Sequence, residues 1–224
     1  MMVKRNGGIS LIDVMIVLAV IAVIAVLLVP KYNEKKAREL RAEMITEARE
    51  AMLEAKLAQE LHFERHGRFT DDLNELAVFN PALRDLRCPF DKAPYAIAYD
   101  STRFAISCSV PDPGAIEGGV PSWLAEPGAE GLRASLIMRS RDRMAKVAAA
   151  LDSFKAITGS YTADLDTLES QTPGVKNLLC PLMMKRFSII LSDSLGYEVT
   201  SHLDEVGRIV DGTPDYPPLP TPKT

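Results

Sequence analysis

Residues 67–76 read GRFTDDLNEL, and residues 159–168 read GSYTADLDTL. The two stretches share Gly, Thr, Asp, Leu and Leu at the same places. The offset of 92 continues without a gap: Pro81 falls on Pro173, Leu86 on Leu178, Cys88-Pro89 on Cys180-Pro181, and Ile97 on Ile189. Ten of the 31 positions from Gly67 to Ile97 are identical, and Phe69/Tyr161 and Tyr95/Phe187 are close substitutions. Such a period marks a duplicated structural unit.

Each copy has the same order. A helix comes first, over Arg41–His66 and again over Leu132–Thr158. Its apolar stripe is Ile45, Ala48, Met52 and Ala55 in one copy, and Ile137, Met144, Val147, Leu151 and Phe154 in the other. Gly67 reads as the stop of the first helix. Thr70 and Thr162 are the expected N-caps of a short helical turn. A Cys-Pro loop follows. Last comes a hairpin, Tyr95–Tyr99 and Phe104–Cys108 around the turn Asp100–Arg103, with FSIILSDSLGYEVTSHL as its counterpart. Between the copies, Val110 to Gly131 holds four prolines and five glycines and reads as a linker. Trp123 within it is expected to plug a gap between the two units, the alternative being an exposed recognition residue. The tail DGTPDYPPLPTPKT has five prolines and reads as an extended, solvated segment.

Upstream, Ile9 to Val29 is 21 residues with one charge, Asp13. As a helix it would be roughly 31 Å long, close to the thickness of a bilayer core. Lys4 and Arg5 precede it and no acid does. The expectation is a transmembrane helix in the inner (cytoplasmic) membrane, single-pass, with its N-terminus cytoplasmic before processing. No small-residue cleavage site follows the run, so an ordinary signal peptide fits poorly. A carboxylate within such a run is costly and points to a function. From Lys31 the pattern turns charged, with Glu34–Arg38 and Lys35–Glu39 as opposite-charge pairs one turn apart.

These residues carry a resemblance. Gly7-Gly8 followed by ISLIDVMIV, with Pro30 closing the apolar run, resembles the N-terminal signature of type IV pilins and type II secretion pseudopilins. The resemblance covers about 25 of 224 residues. It implies cleavage after Gly8 by the prepilin peptidase and N-methylation of Ile9. It also implies that Asp13 compensates the terminal amine of a neighbouring subunit during filament assembly. The family's usual residues are phenylalanine where Ile9 stands and glutamate where Asp13 stands, so both positions depart mildly from the pattern. An intrachain pair between the Ile9 amine and Asp13 is the alternative, since the two lie one helical turn apart. The helix, loop and hairpin order also resembles the head of small pilin-like proteins, and Cys88-Pro89, Tyr95 and Cys108 resemble one subset of them.

The expected fold class is therefore α+β: a long N-terminal transmembrane and spine helix, then two tandem helix-plus-antiparallel-hairpin head modules. The divisions are a leader over 1–8, a transmembrane and filament-core helix over 9–30, and spine helix with first head over 31–110. A linker over 111–130, a second head over 131–211 and a tail over 212–224 complete the chain. An exterior location permits a Cys88–Cys108 disulfide closing about 20 residues, which leaves Cys180 a buried thiol. The alternative is a bridge between the units. The expected partners are the membrane, other pilin-like subunits, the prepilin peptidase and an inner-membrane assembly platform.

A net charge of −4 argues against nucleic acid as a main partner. No nucleophile elbow, phosphate-binding loop or Cys-x-x-Cys occurs, so the reading is a structural subunit and no enzyme, without cofactor. His62 and His66 have a metal-like spacing but no third ligand nearby. Asp71-Asp72 and Asp204-Glu205 are more simply solvated turn acids than calcium ligands. The rival reading is a signal-anchored extracytoplasmic binding module that does not polymerise.

Overall fold

The computed structural model describes residues 11–192 and 196–220; within the first helix, the side chains of 11–13, 17, 21–23 and 25–29 lie outside that description. The chain divides into two compact units, Met1–Thr46 and Glu47–Thr224. Helix α1 (Leu11–His66) begins in the first and ends in the second, with Pro30 inside it. Glu34–Arg38 and Lys35–Glu39 face each other at 3.8 and 3.7 Å on exposed surface, contributing a few tenths of a kcal/mol each.

The α+β class holds, but the transmembrane spine does not. Among the described residues no helix is long and apolar enough to cross a membrane. From Lys31 to Glu47 charged side chains recur at nearly every turn of α1 and are exposed, which hydrocarbon does not accommodate. Upstream, the described large apolar side chains are Val14, Met15, Ile16, Leu18, Val20 and Ile24. This overturns the expected transmembrane assignment of 9–30, the membrane association, and the single-pass inner-membrane location.

The second unit holds both repeats, and each is a helix packed on a four-stranded antiparallel sheet. Module 1 uses the end of α1, a short helix α2 (Leu73–Leu76), and strands β1 (Ala96–Tyr99), β2 (Phe104–Ser107), β3 (Ala115–Glu117) and β4 (Val120–Pro121), in sheet order β1-β2-β3-β4. Module 2 uses α3 (Glu130–Thr158), α4 (Leu165–Glu169), a small ribbon of β5 (Leu179–Cys180) and β6 (Lys185–Arg186), then β7 (Ser188–Ser192), β8 (Gly196–Thr200), β9 (Arg208–Val210) and β10 (Thr213–Asp215). Its sheet order is β7-β8-β9-β10. The ribbon pairs Leu179 with Arg186, and 92 positions earlier Arg87 bridges Pro94.

The expected hairpins are thus half of each sheet. The proline- and glycine-rich stretch expected as a linker supplies β3 and β4, and β10 together with residues after it comes from the expected tail. After the hairpin turn the offset becomes 93. Ile116 then falls on Ile209, Gly119 on Gly212 and Pro121 on Pro214. Gly119 and Gly212 both have positive φ (+79° and +75°), the left-handed conformation that favours glycine in a tight strand connection. Prolines are tolerated because β4 and β10 are edge strands.

The cores repeat as well. Met52 and Met144, Leu76 and Leu168, Ile106 and Val199, and Ile116 and Ile209 are equivalent and buried. The cap residue differs from expectation. Asp72 and Asp164 accept the capping bonds, from the backbone N–H of Asn74 and Asp166. Thr70 and Thr162 sit two residues back and accept from the N–H of Asp72 and Asp164. A carboxylate at the helix start also gains from the helix dipole.

Candidate functional site

The residues expected to drive processing and assembly fall differently. Gly8 and Ile9 lie outside the described residues. Asp13 lies in α1, with its side chain outside the description, and Pro30 is an exposed residue of the same helix. Cys88 and Cys108 are joined by a disulfide, with Cα atoms 6.0 Å apart. Cys180 is a buried free thiol, 3.4 Å from the Ser140 hydroxyl. Cys108 has no cysteine counterpart, so the second module keeps its half of the pair unbridged.

His62 is occupied. Its Nδ1 lies 2.8 Å from the Arg68 carbonyl oxygen and its Nε2 3.0 Å from a Glu75 carboxylate oxygen. Of the turn acids, Asp72 caps α2 and Glu205 holds Arg133 through two contacts of 2.8 and 2.9 Å. Among the described residues no group of three His, Cys, Asp or Glu side chains could hold a metal.

The chemistry is concentrated where the two modules meet, in residues the sequence did not single out. Lys56 and Glu60, on α1, are both buried and paired with each other. Lys56 also donates to the Pro181 carbonyl at 3.1 Å. From α3, Arg139 pairs with Glu60, and Arg143 does so at 3.0 Å while donating to the Leu179 carbonyl at 2.9 Å. Glu64 and Lys146 extend the network outward at 3.5 Å. Burial alone would raise the Glu60 carboxyl; Lys56, Arg143 and Arg139 outweigh it and hold the group below its ordinary value. Burial also pushes Lys56 down, and the two arginines add to that against the pull of Glu60. The two shifts share a sign for different reasons: burial drives Lys56 down, and the three cations around one carboxylate drive Glu60 down.

A second pair of arginines closes the two modules, one in each. Arg49 donates to the Pro113 carbonyl at 3.0 Å and to Glu126 at 2.9 Å, and its guanidinium lies 5.2 Å from the centre of the Trp123 ring. Arg141 donates to the carbonyls of Val206, Glu205 and Pro217 at 3.0, 3.1 and 2.6 Å and lies 4.7 Å from the Tyr216 ring. Trp123 is buried in a cluster of mostly first-module residues that also takes in Leu179 and Met184 of the second, and it is not the exposed recognition residue offered as the alternative. The signal was present: Arg49 and Arg141 are 92 apart, and Trp123 and Tyr216 are 93 apart.

No family model, curated protein or solved structure matches this chain.

Proposed function

We propose that the chain is a structural subunit, pilin or pseudopilin, of a type IV pilus-like or type II secretion filament. In this reading it is processed after Gly8, methylated on Ile9, and assembled through its N-terminal helix. The observation that carries it is the ordered N-terminal pattern: Lys4-Arg5, Gly7-Gly8, then an apolar run with Asp13 as its lone charge. That run enters a helix which continues past Pro30 to His66 without a break. A freed Ile9 amine and a carboxylate four positions on are what a stack of parallel helices needs to fix its register, as charged groups do in coiled-coil cores. The two arginine-braced modules, the first also disulfide-bonded, are then outer surface, with no catalytic role. Its partners are other pilin-like subunits, the prepilin peptidase and the assembly platform.

The test is the mass of the mature chain. The expected result is a chain that begins at Ile9 with one added methyl group, and full-length precursor for Gly8→Val. A mature chain that retains residues 1–8 would overturn the assignment.

A further inference from the structure

A cleft of about 900 Å³ opens between the modules. Its apolar wall includes Phe63, Leu179, Met183 and Phe187, and its mouth carries Arg103 from module 1 with Lys185, Arg186 and His202 from module 2. Glu117 is the one carboxylate that lines it. Among the described residues, no carboxylate lies within ion-pair distance of Lys185 or Arg186. Their counterparts in the first module are Ala93 and Pro94, and the counterpart of Arg103 is Gly196. The charges are therefore not required by the module fold, which forms without them in the other copy. They occur on both sides of the same opening.

A second feature meets the first. Strand β7 starts at Ser188, which lines the cleft, and it is an edge of its sheet, paired among the described residues with β8 alone. The strand reads SIILS, and Ile190 is 53% exposed. It lacks the lysine, proline or bulge that ordinarily protects such an edge. Unpaired backbone donors and acceptors beside a cationic, apolar-walled opening suit one kind of ligand.

We propose that this cleft and the β7 edge together bind an extended, acidic segment of another polypeptide, with alternating carboxylate and apolar side chains. Its backbone pairs with β7, its carboxylates meet Arg103, Lys185 and Arg186, and an apolar side chain enters the Phe63–Phe187 wall. The proposal does not rest on the filament reading.

The test is fluorescence anisotropy of the full-length chain with a labelled Glu-Val-Glu-Val-Glu peptide, beside Lys-Val-Lys-Val-Lys and Gln-Val-Gln-Val-Gln controls. The acidic peptide is expected to bind, and to weaken as salt is raised. Reversing both exposed charges, Lys185→Glu with Arg186→Glu, is expected to cost roughly tenfold or more in affinity while leaving the thermal midpoint in place. Methylating alternate backbone nitrogens of the peptide is expected to abolish binding, since this removes its donors to the edge. Equal binding of the acidic and basic peptides, or an unchanged affinity in the charge-reversed chain, would overturn the proposal. So would self-association of the chain that the same charge reversal abolishes and the acidic peptide fails to compete, because the occupant would then be a second copy.

Discussion

Arg49 and Arg141 stand at one place in the repeat, 92 positions apart, and each lies over the aromatic ring that follows its module's last strand. Each also donates Nε to a carbonyl in the loop between the second and third strands, Pro113 for one and Val206 for the other. The contact closes the sheet back onto the helix. It thereby turns a helix with a hairpin into a four-stranded module.

Arg141→Met keeps much of the side-chain volume and removes three carbonyl contacts. It is expected to destabilise the chain by about 1–3 kcal/mol, the cost of leaving part-buried acceptors unpaired. Trp123→Ala is expected to cost about 3–5 kcal/mol, as for other large core truncations. Both are read as shifts in the midpoint of urea unfolding. An unchanged midpoint for Arg141→Met would mean that water replaces the guanidinium at no cost.

Most of this architecture was legible in the repeat, and the parts that were not have physical reasons. Helix stripes, glycine stops and the first two strands of each sheet follow from spacing. Strands β3 and β4 were missed because proline and glycine dominate composition there, and edge strands with left-handed turns tolerate both. The one-residue change of offset after the hairpin hid the match between Trp123 and Tyr216. The Lys56–Glu60–Arg139–Arg143 network was missed for another reason. Lys56 and Glu60 read as an ordinary surface pair on a charged helix, and nothing local shows that a second helix covers them. Gly8 and Ile9 came from the resemblance alone, whereas Asp13 already stood out as the lone carboxylate of an apolar run.

Glu60 is the hub of that network, so its charge is the one to remove. Glu60→Gln leaves Lys56 buried with no counter-charge and Arg143 with only Glu64, at 3.9 Å, and is expected to cost about 3–5 kcal/mol at neutral pH. The pH dependence has a definite sign. Glu60 titrates below its ordinary value of 4.5 in the folded chain. Its contribution is present above pH 4.5 and is lost as pH falls through the lower, folded value, because the unfolded chain takes up the proton first. Unfolding midpoints measured between pH 7 and pH 3 should fall more steeply for the parent than for Glu60→Gln. Parallel curves would show that the carboxylate is not held down.

The disulfide offers a cleaner perturbation, since it lies within module 1. It closes a separation of 20 residues, for which loop-closure entropy gives roughly 3 kcal/mol. Reductant is expected to lower the parent's unfolding midpoint by that amount and to leave Cys88→Ser/Cys108→Ser unmoved. Cys180 is buried beside Ser140, so the folded parent should show no thiol reactive with a bulky maleimide until it is reduced or unfolded. Two reactive thiols in the oxidised, folded chain would contradict the pairing.

Asp13 decides the assembly proposal. The proposed cleavage after Gly8 would create a positive amine on Ile9, and Asp13 is the acid placed four residues on. In a bundle of apolar helices that amine has no other counter-charge in the run from Ile9 to Val29. Removing one partner of a buried pair costs about 3–5 kcal/mol, since the other stays charged and desolvated. Asp13→Leu is therefore expected to be cleaved after Gly8, to fold its two modules and form its disulfide, and to enter filaments poorly. Asp13→Glu keeps the charge on a longer arm and is expected to incorporate at least as well as the parent. The measurement is the fraction of tagged subunit recovered in sheared filaments for the three chains, with the unfolding midpoint as a control that the modules are intact. Equal recovery of Asp13→Leu and parent, at equal midpoints, would show that no ion pair at this position sets the register, and would leave the carboxylate without a role in assembly.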